Sequence, residues 1–105
     1  MSINSRNKGK VGELELAHAL TEAGFEARRG QQFAGGGDSP DVVCQPLAGY
    51  HFEVKRVEAG NLYKWLKQAI RDAGSKVPVV AHRRSREDWV VVLRLSDFLN
   101  LLRMI

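Results

Sequence analysis

The sequence predicts an α/β domain in which helices flank a central mixed β-sheet, with elements in the order αβββαββα. Three observations carry that prediction. Helical apolar stripes open, divide and close the chain. Ser39 to Lys55 has the pattern of a β-hairpin. Trp89 to Leu93 is a continuous apolar run of strand length, the mark of a central or interface strand. At 105 residues the chain fits one domain, residues 1–105, with no internal repeat and no linker.

Composition bounds the function loosely. Sixteen Lys and Arg against twelve Asp and Glu leave a net charge of +4. That balance favours a polyanionic partner, nucleic acid or an acidic membrane surface, but it also suits plain solubility. The single Cys44 excludes an internal disulfide and a Cys-based zinc site. No apolar stretch reaches the ~18 residues of a membrane span, and Met1 to Val11 is polar, unlike a signal peptide. A cytoplasmic protein with no membrane partner is expected.

Met1 to Lys8 is polar and reads as a flexible basic arm, with Arg6, Lys8 and the following Lys10 as its charges. A helix follows from Gly9 to Ala23, closed by Gly24. On its wheel Leu16, Ala17 and Leu20 surround Glu13, with Leu14 at the margin, while Glu15 and Glu22 point to solvent. A carboxylate in the middle of an apolar face needs an explanation. Either Glu13 favours the positive end of the helix, or it faces an acid cluster and joins a metal site. Phe25 to Arg29 reads as a first strand whose Arg28 and Arg29 could contact phosphates. Gly30 to Ser39 is a loop around three successive glycines that would let a ligand approach the backbone. No Gly-Lys-Ser/Thr follows, so it is not a P-loop, and Asp38 is expected to cap a turn.

The hairpin carries the chemistry. Asp41 to Cys44 is β-prone, Pro46 to Gly49 is a turn cluster, and Tyr50 to Arg56 alternates. Phe52 and Val54 therefore share one face, and His51, Glu53 and Lys55 the other. Folding about Leu47 brings Asp41 opposite Glu53, with Cβ atoms about 4.5–5.5 Å apart. Two carboxylates so placed need a shared proton or a cation. Lys55 would project beside them and could orient a nucleophile or stabilise developing charge.

A second helix is predicted from Asn61 to Ala73, burying Leu62, Leu66, Ala69 and Ala73 with Trp65 and Ile70 at the flanks. Trp65 is expected to pack instead of stacking on bases. Lys64, Lys67, Gln68 and Arg71 lie on the opposite face, which suits DNA backbone contacts. Gly74 ends that helix, Val79 to His82 is a short strand, and Arg83 to Asp88 is a charged turn. Ser96-Asp97 would cap a last helix, Phe98 to Ile105, more apolar than one face requires; with the 89–93 strand it suggests a homodimer. His18, His51 and His82 share no ligand spacing, and only His51 sits on the Glu53 face.

Pro40-Asp41 followed, across a short hairpin, by Glu53-Val54-Lys55 resembles the signature of the PD-(D/E)XK nuclease superfamily. Gly9 with Glu13 four residues later is similar to the first-helix motif of the archaeal Holliday-junction resolvases within it, as is the Ser-containing glycine loop ending at Ser39. The resemblance covers nearly the whole chain and implies a single restriction-endonuclease-like domain. It implies Mg²⁺-dependent DNA hydrolysis, with Mn²⁺ able to substitute. Asp41, Glu53, the Val54 carbonyl and Glu13 would hold one or two ions, and Lys55 would orient the attacking water or offset charge on phosphorus. Hard oxygen donors favour magnesium over zinc. Gln68 stands where some members carry a functional Gln, but Asp72 replaces the companion Tyr. The implied DNA contacts are Arg6, Lys8, Lys10, Arg28, Arg29, Ser39, Lys64, Lys67 and Arg71. Branched DNA cut by a homodimer is the implied substrate. The alternatives are a small phage-type nuclease acting on other structures, a non-catalytic DNA-binding module, and an RNA-directed nuclease.

Overall fold

The computed structural model describes residues 5–30 and 41–105. Helix α1 spans Ser5–Glu22, followed by strands β1 (Ala27–Arg29), β2 (Val42–Cys44) and β3 (Tyr50–Lys55). Then come α2 (Leu62–Ala73), β4 (Val77–His82), β5 (Val90–Val92) and α3 (Leu95–Arg103), which is the expected order. The strands lie side by side as β1-β2-β3-β4-β5. Neighbours are antiparallel except β3 and β4, which run parallel because α2 carries the chain back between them. The sheet is therefore mixed, as predicted.

Local chemistry sets the helix ends. Gly24 adopts φ +100°, which glycine takes without strain. Its N–H donates to the Thr21 carbonyl at 3.0 Å and the Phe25 N–H to the Leu20 carbonyl at 2.9 Å, the paired closure of a Schellman motif. At the start of α2 the Asn61 side chain accepts from the Lys64 N–H at 3.1 Å.

The two helices that matter for the site cover opposite faces of the sheet. From α1, buried Leu16 and Ala17 pack on Val42, Cys44, Phe52, Val54, Val79 and Ala81. On the other face α2 lies over β3 and β4 and buries the small Ala69 and Ala73. Strand β3 is thus covered twice, and His51 to Val54 are four consecutive buried residues. A polar residue placed there is held in a dry, rigid setting.

Several expectations change. Helix α1 starts at Ser5, not Gly9, so residues 5–8 are helix and not a loose arm; polar residues supply no apolar period to mark such a turn. Glu15 does not face solvent freely but bonds Arg56 Nε at 3.1 Å and pairs with Arg83. Leu62, expected inside, is exposed, as is Leu14 at the margin of the apolar face. Strand β4 starts two residues early and includes Pro78. The Val77 N–H donates to Gly49 on the β3 side, so the Pro78 nitrogen faces away from β3. There β5 does not reach, since it pairs only with Val80 to His82, so no ladder bond is lost. The 89–93 run is an edge strand and not a central one, with Val90 and Val91 exposed. Helix α3 begins at Leu95, so Asp97 lies inside its first turn and accepts from Arg94 Nε at 2.9 Å.

Gly12 lets α1 approach the sheet. A Cβ on it would sit 2.5 Å from the Arg56 Cβ. Gly12→Ala is expected to lose about 1–3 kcal/mol from overpacking, more than the ~1 kcal/mol that Ala gains over Gly in a helix. Urea unfolding would measure it, and a raised midpoint would refute this account of the helix–sheet contact.

Candidate active site

The hairpin register is the one the sequence predicts. Val42 pairs with Phe52, and one step further along Asp41 stands opposite Glu53. At that point β2 leaves the ladder, and the Asp41 side chain takes over from the backbone. Its Oδ2 accepts the Val54 N–H at 2.8 Å, while its own N–H donates to the Phe52 carbonyl at 3.3 Å. The N–H and C=O of one strand residue point the same way, so the Val54 carbonyl also faces the Asp41 side.

Three elements add to this pair. Glu13 comes in from α1, buried, and its Oε1 accepts from Arg29 Nε of β1 at 2.6 Å. The like charge of Asp41 acts on Glu13 and helps raise its pKa. Lys55 extends β3 by two residues beyond Glu53, and its Nζ donates to Gln68 Oε1 of α2 at 3.1 Å. Asp41, Glu53, Lys55 and Glu13 are therefore gathered at one end of β2 and β3. Gln68 joins them, facing inward and not lying on the outer basic face.

Burial dominates the electrostatics. Loss of water raises the pKa of Glu53, Asp41 and Glu13 above their ordinary values. For Asp41 the Val54 N–H and the nearby Lys55 work against that rise, and a hydrogen bond from Glu53 does too. For Glu53 the His51 hydrogen bond lowers the pKa, while Asp41 and Asp72 raise it. Carboxyls with this much affinity for protons will also welcome a cation. Oxygen donors such as those of Asp41, Glu53, Glu13 and the Val54 carbonyl are the kind a hard divalent ion takes; among the described residues, the set whose ligand atoms already lie within 4.8 Å of one another is His51, Glu53 and Asp72.

Two further residues lie near Glu53. His51 Nε2 lies 3.0 Å from Glu53 Oε1 inside the sheet–helix interface. Asp72, four residues after Gln68 on α2, brings a carboxylate oxygen within 4.8 Å of Glu53 and of His51. The helical spacing from Gln68 to Asp72 was the available signal. His82 plays a structural part, bonding the Val57 carbonyl at 2.9 Å and lying 4.9 Å, centroid to centroid, from Trp65, which packs as expected.

The basic residues divide. Lys10, Lys64, Lys67 and Arg71 are exposed, as is Arg28, whose pairing with Val43 sets it on the sheet face of Asp41. Arg29 points to the other face and is held by Glu13. Ser39, and the side chains of Arg6 and Lys8, lie outside the described residues, as do Asp38 and the glycine loop.

Comparisons with known proteins can be set beside this geometry. The family model described as "Phage putative PDDEXK endonuclease" matches residues 4–104. Protein D14 of Escherichia phage T5 is 29% identical over 120 aligned residues, which cover 92% of this chain and 75% of that protein. The structure of Hjc, a Holliday junction resolvase from the archaeal hyperthermophile Archaeoglobus fulgidus, matches with a TM-score of 0.59 and 26% identity. That match covers 82% of this chain and 72% of Hjc.

The raised carboxyl pKa values have a consequence for stability. Between the ordinary carboxylate range and the raised values, the folded protein binds more protons than the unfolded chain. Stability must then fall as pH rises through that window. In EDTA the melting temperature is expected to drop by several degrees from mildly acidic to neutral pH, and Glu53→Gln should flatten the slope. A wild-type melting temperature that climbs over that window would contradict the assigned shifts.

Proposed function

Because this chain belongs to the phage PDDEXK endonuclease family, we propose that it is a Mg²⁺-dependent endodeoxyribonuclease that cuts branched DNA as a homodimer. The observation that carries this reading is the convergence of Glu13, Asp41, Glu53 and Lys55 at one end of the central hairpin. Asp41, Glu53, the Val54 carbonyl and Glu13 would hold the ion, and Mn²⁺ would substitute for Mg²⁺. When bound, such a cation lowers the pKa of a water molecule and offsets charge on the phosphate.

The chain's own groups supply the rest. Gln68 holds the Lys55 ammonium on the α2 side of the acid pair. From there Lys55 orients the attacking water and offsets the charge that grows on the phosphorus oxygens. Arg29 fixes the rotamer of Glu13 through its 2.6 Å bond. Lys10, Arg28, Lys64, Lys67 and Arg71 would neutralise DNA phosphates on either side of the cut. A DNA substrate would put this work in the cytoplasm; among the described residues no helix is long and apolar enough to cross a membrane.

Dimerisation is supported by an apolar surface at the far edge of the sheet. Val90, Val91, Leu95, Phe98, Leu99 and Leu102 are all exposed, and no residue of α3 is buried. A second copy seated there would cover them. Two catalytic ends in one dimer suit a substrate with two symmetric strands, and the likeness to a Holliday junction resolvase points the same way. The likeness to a phage protein supports a second reading, a nuclease of the same mechanism acting on non-junction DNA.

A labelled panel of four-way junction, flap, single strand, duplex and RNA, with Mg²⁺ or EDTA, separates these readings. Paired symmetric nicks in the junction alone are expected; cutting of the other substrates would remove the junction preference, and binding without cutting would remove the nuclease. Asp41→Ala and Glu53→Ala should each abolish cleavage while leaving DNA binding intact or tighter, because they take away repulsive charge. Lys55→Ala should cost on the order of 10²–10³-fold in rate. For the dimer, Phe98→Glu is expected to give monomers in sedimentation, with the pairing of nicks lost. An unchanged sedimentation coefficient would move the interface elsewhere.

A further inference from the structure

Glu53 has neighbours that the hydrolytic reading does not use. On its α2 side stand His51, two residues earlier on β3, and Asp72. One ligand atom from each of the three residues lies within 4.8 Å of the others. Donors about 2.0–2.2 Å from a shared ion sit roughly 3–4 Å apart, so a small inward movement of the half-buried Asp72 would close the set. His51 and Glu53 are only 3% and 4% exposed, so two of the three donors are already fixed by packing.

A second observation concerns charge. Glu53 and Asp72 bring carboxylate oxygens within 4.8 Å of each other at the C-terminal end of α2. Like charges at that spacing favour a cation between them. Among the described residues no lysine or arginine hydrogen-bonds to either, and Lys55 is committed to Gln68. His51 is the one basic group at hand, and its Nε2 already points at Glu53 Oε1 from 3.0 Å. An ion would take the place that a proton holds on that line.

We propose that His51, Glu53 and Asp72 form a transition-metal site, separate from the oxygen site at Asp41 and sharing Glu53 with it. The imidazole nitrogen decides the class of ion. Mg²⁺ and Ca²⁺ take oxygen donors, whereas Mn²⁺, Co²⁺ and Zn²⁺ accept a mixed nitrogen and oxygen set. Because Glu53 serves both sites, an ion held by His51 draws this carboxylate toward α2 and away from Asp41. Zinc would then oppose magnesium at the neighbouring site. The inference stands on donor geometry alone and does not depend on the protein cutting DNA.

Cobalt titration of the metal-free protein, followed by visible absorption and calorimetry without DNA, tests it. Wild type and Asp41→Asn are expected to show a nitrogen-ligated cobalt band. His51→Gln and Asp72→Asn should each weaken cobalt binding at least about ten-fold. Far-UV dichroism of each variant would confirm that the fold is kept; if His51→Gln does not fold, Asp72→Asn decides. The proposal falls if wild type gives no band, if the folded variants bind as tightly as wild type, or if Asp41→Asn alone removes binding. Cobalt binding in a protein that cuts no nucleic acid would overturn the nuclease reading and leave this site standing.

Discussion

The bond from the Val54 N–H to the Asp41 carboxylate, 2.8 Å long, is the constraint on which the site depends. It sits where β2 parts from β3 and a backbone acceptor is no longer in place. A side chain finishes the ladder, and so a carboxylate is fixed against the middle strand of the sheet. Glu53 is opposite by register, and Lys55 follows at strand spacing. Moving any of the three would mean slipping the hairpin by one residue, which would turn Phe52 and Val54 out of the core. Apolar packing on one face thus enforces the spacing of the candidate site residues on the other.

Around that bond four cations are engaged by other groups. Arg29 is taken by Glu13, Lys55 by Gln68, and Arg56 and Arg83 by Glu15. Burial of the Asp41–Glu53 pair raises the pKa of both carboxyls all the same. The arrangement is costly for the fold by itself. It is tolerable because β3 is packed on both faces and cannot relax.

How much of this could be read in the residues follows from how local each signal is. The hairpin pattern gave the Asp41–Glu53 register, and the helical wheel of α1 put Glu13 among Leu16, Ala17 and Leu20, because both rest on short-range periods. The partner of Glu13 did not show, since Arg29 is on a strand whose side the sequence left open. The basic neighbours Lys64, Lys67 and Arg71 point to the outer face of α2 for Gln68; only its bond from Lys55 shows that it faces inward. Asp72 registered as an absent tyrosine, and its contact with Glu53 needs α2 laid over β3 to be seen. The edge position of β5 was hidden too, for an apolar strand that meets solvent looks the same in sequence as one in the middle of a sheet.

Pro78 is fully buried on a part of β4 that β5 does not reach. Another residue there would turn an N–H away from β3 into the interior, with no strand among the described residues to accept it. Proline has none to turn. A single imino acid, far from the acids, therefore lets the fifth strand stop short without leaving an orphaned donor inside the fold.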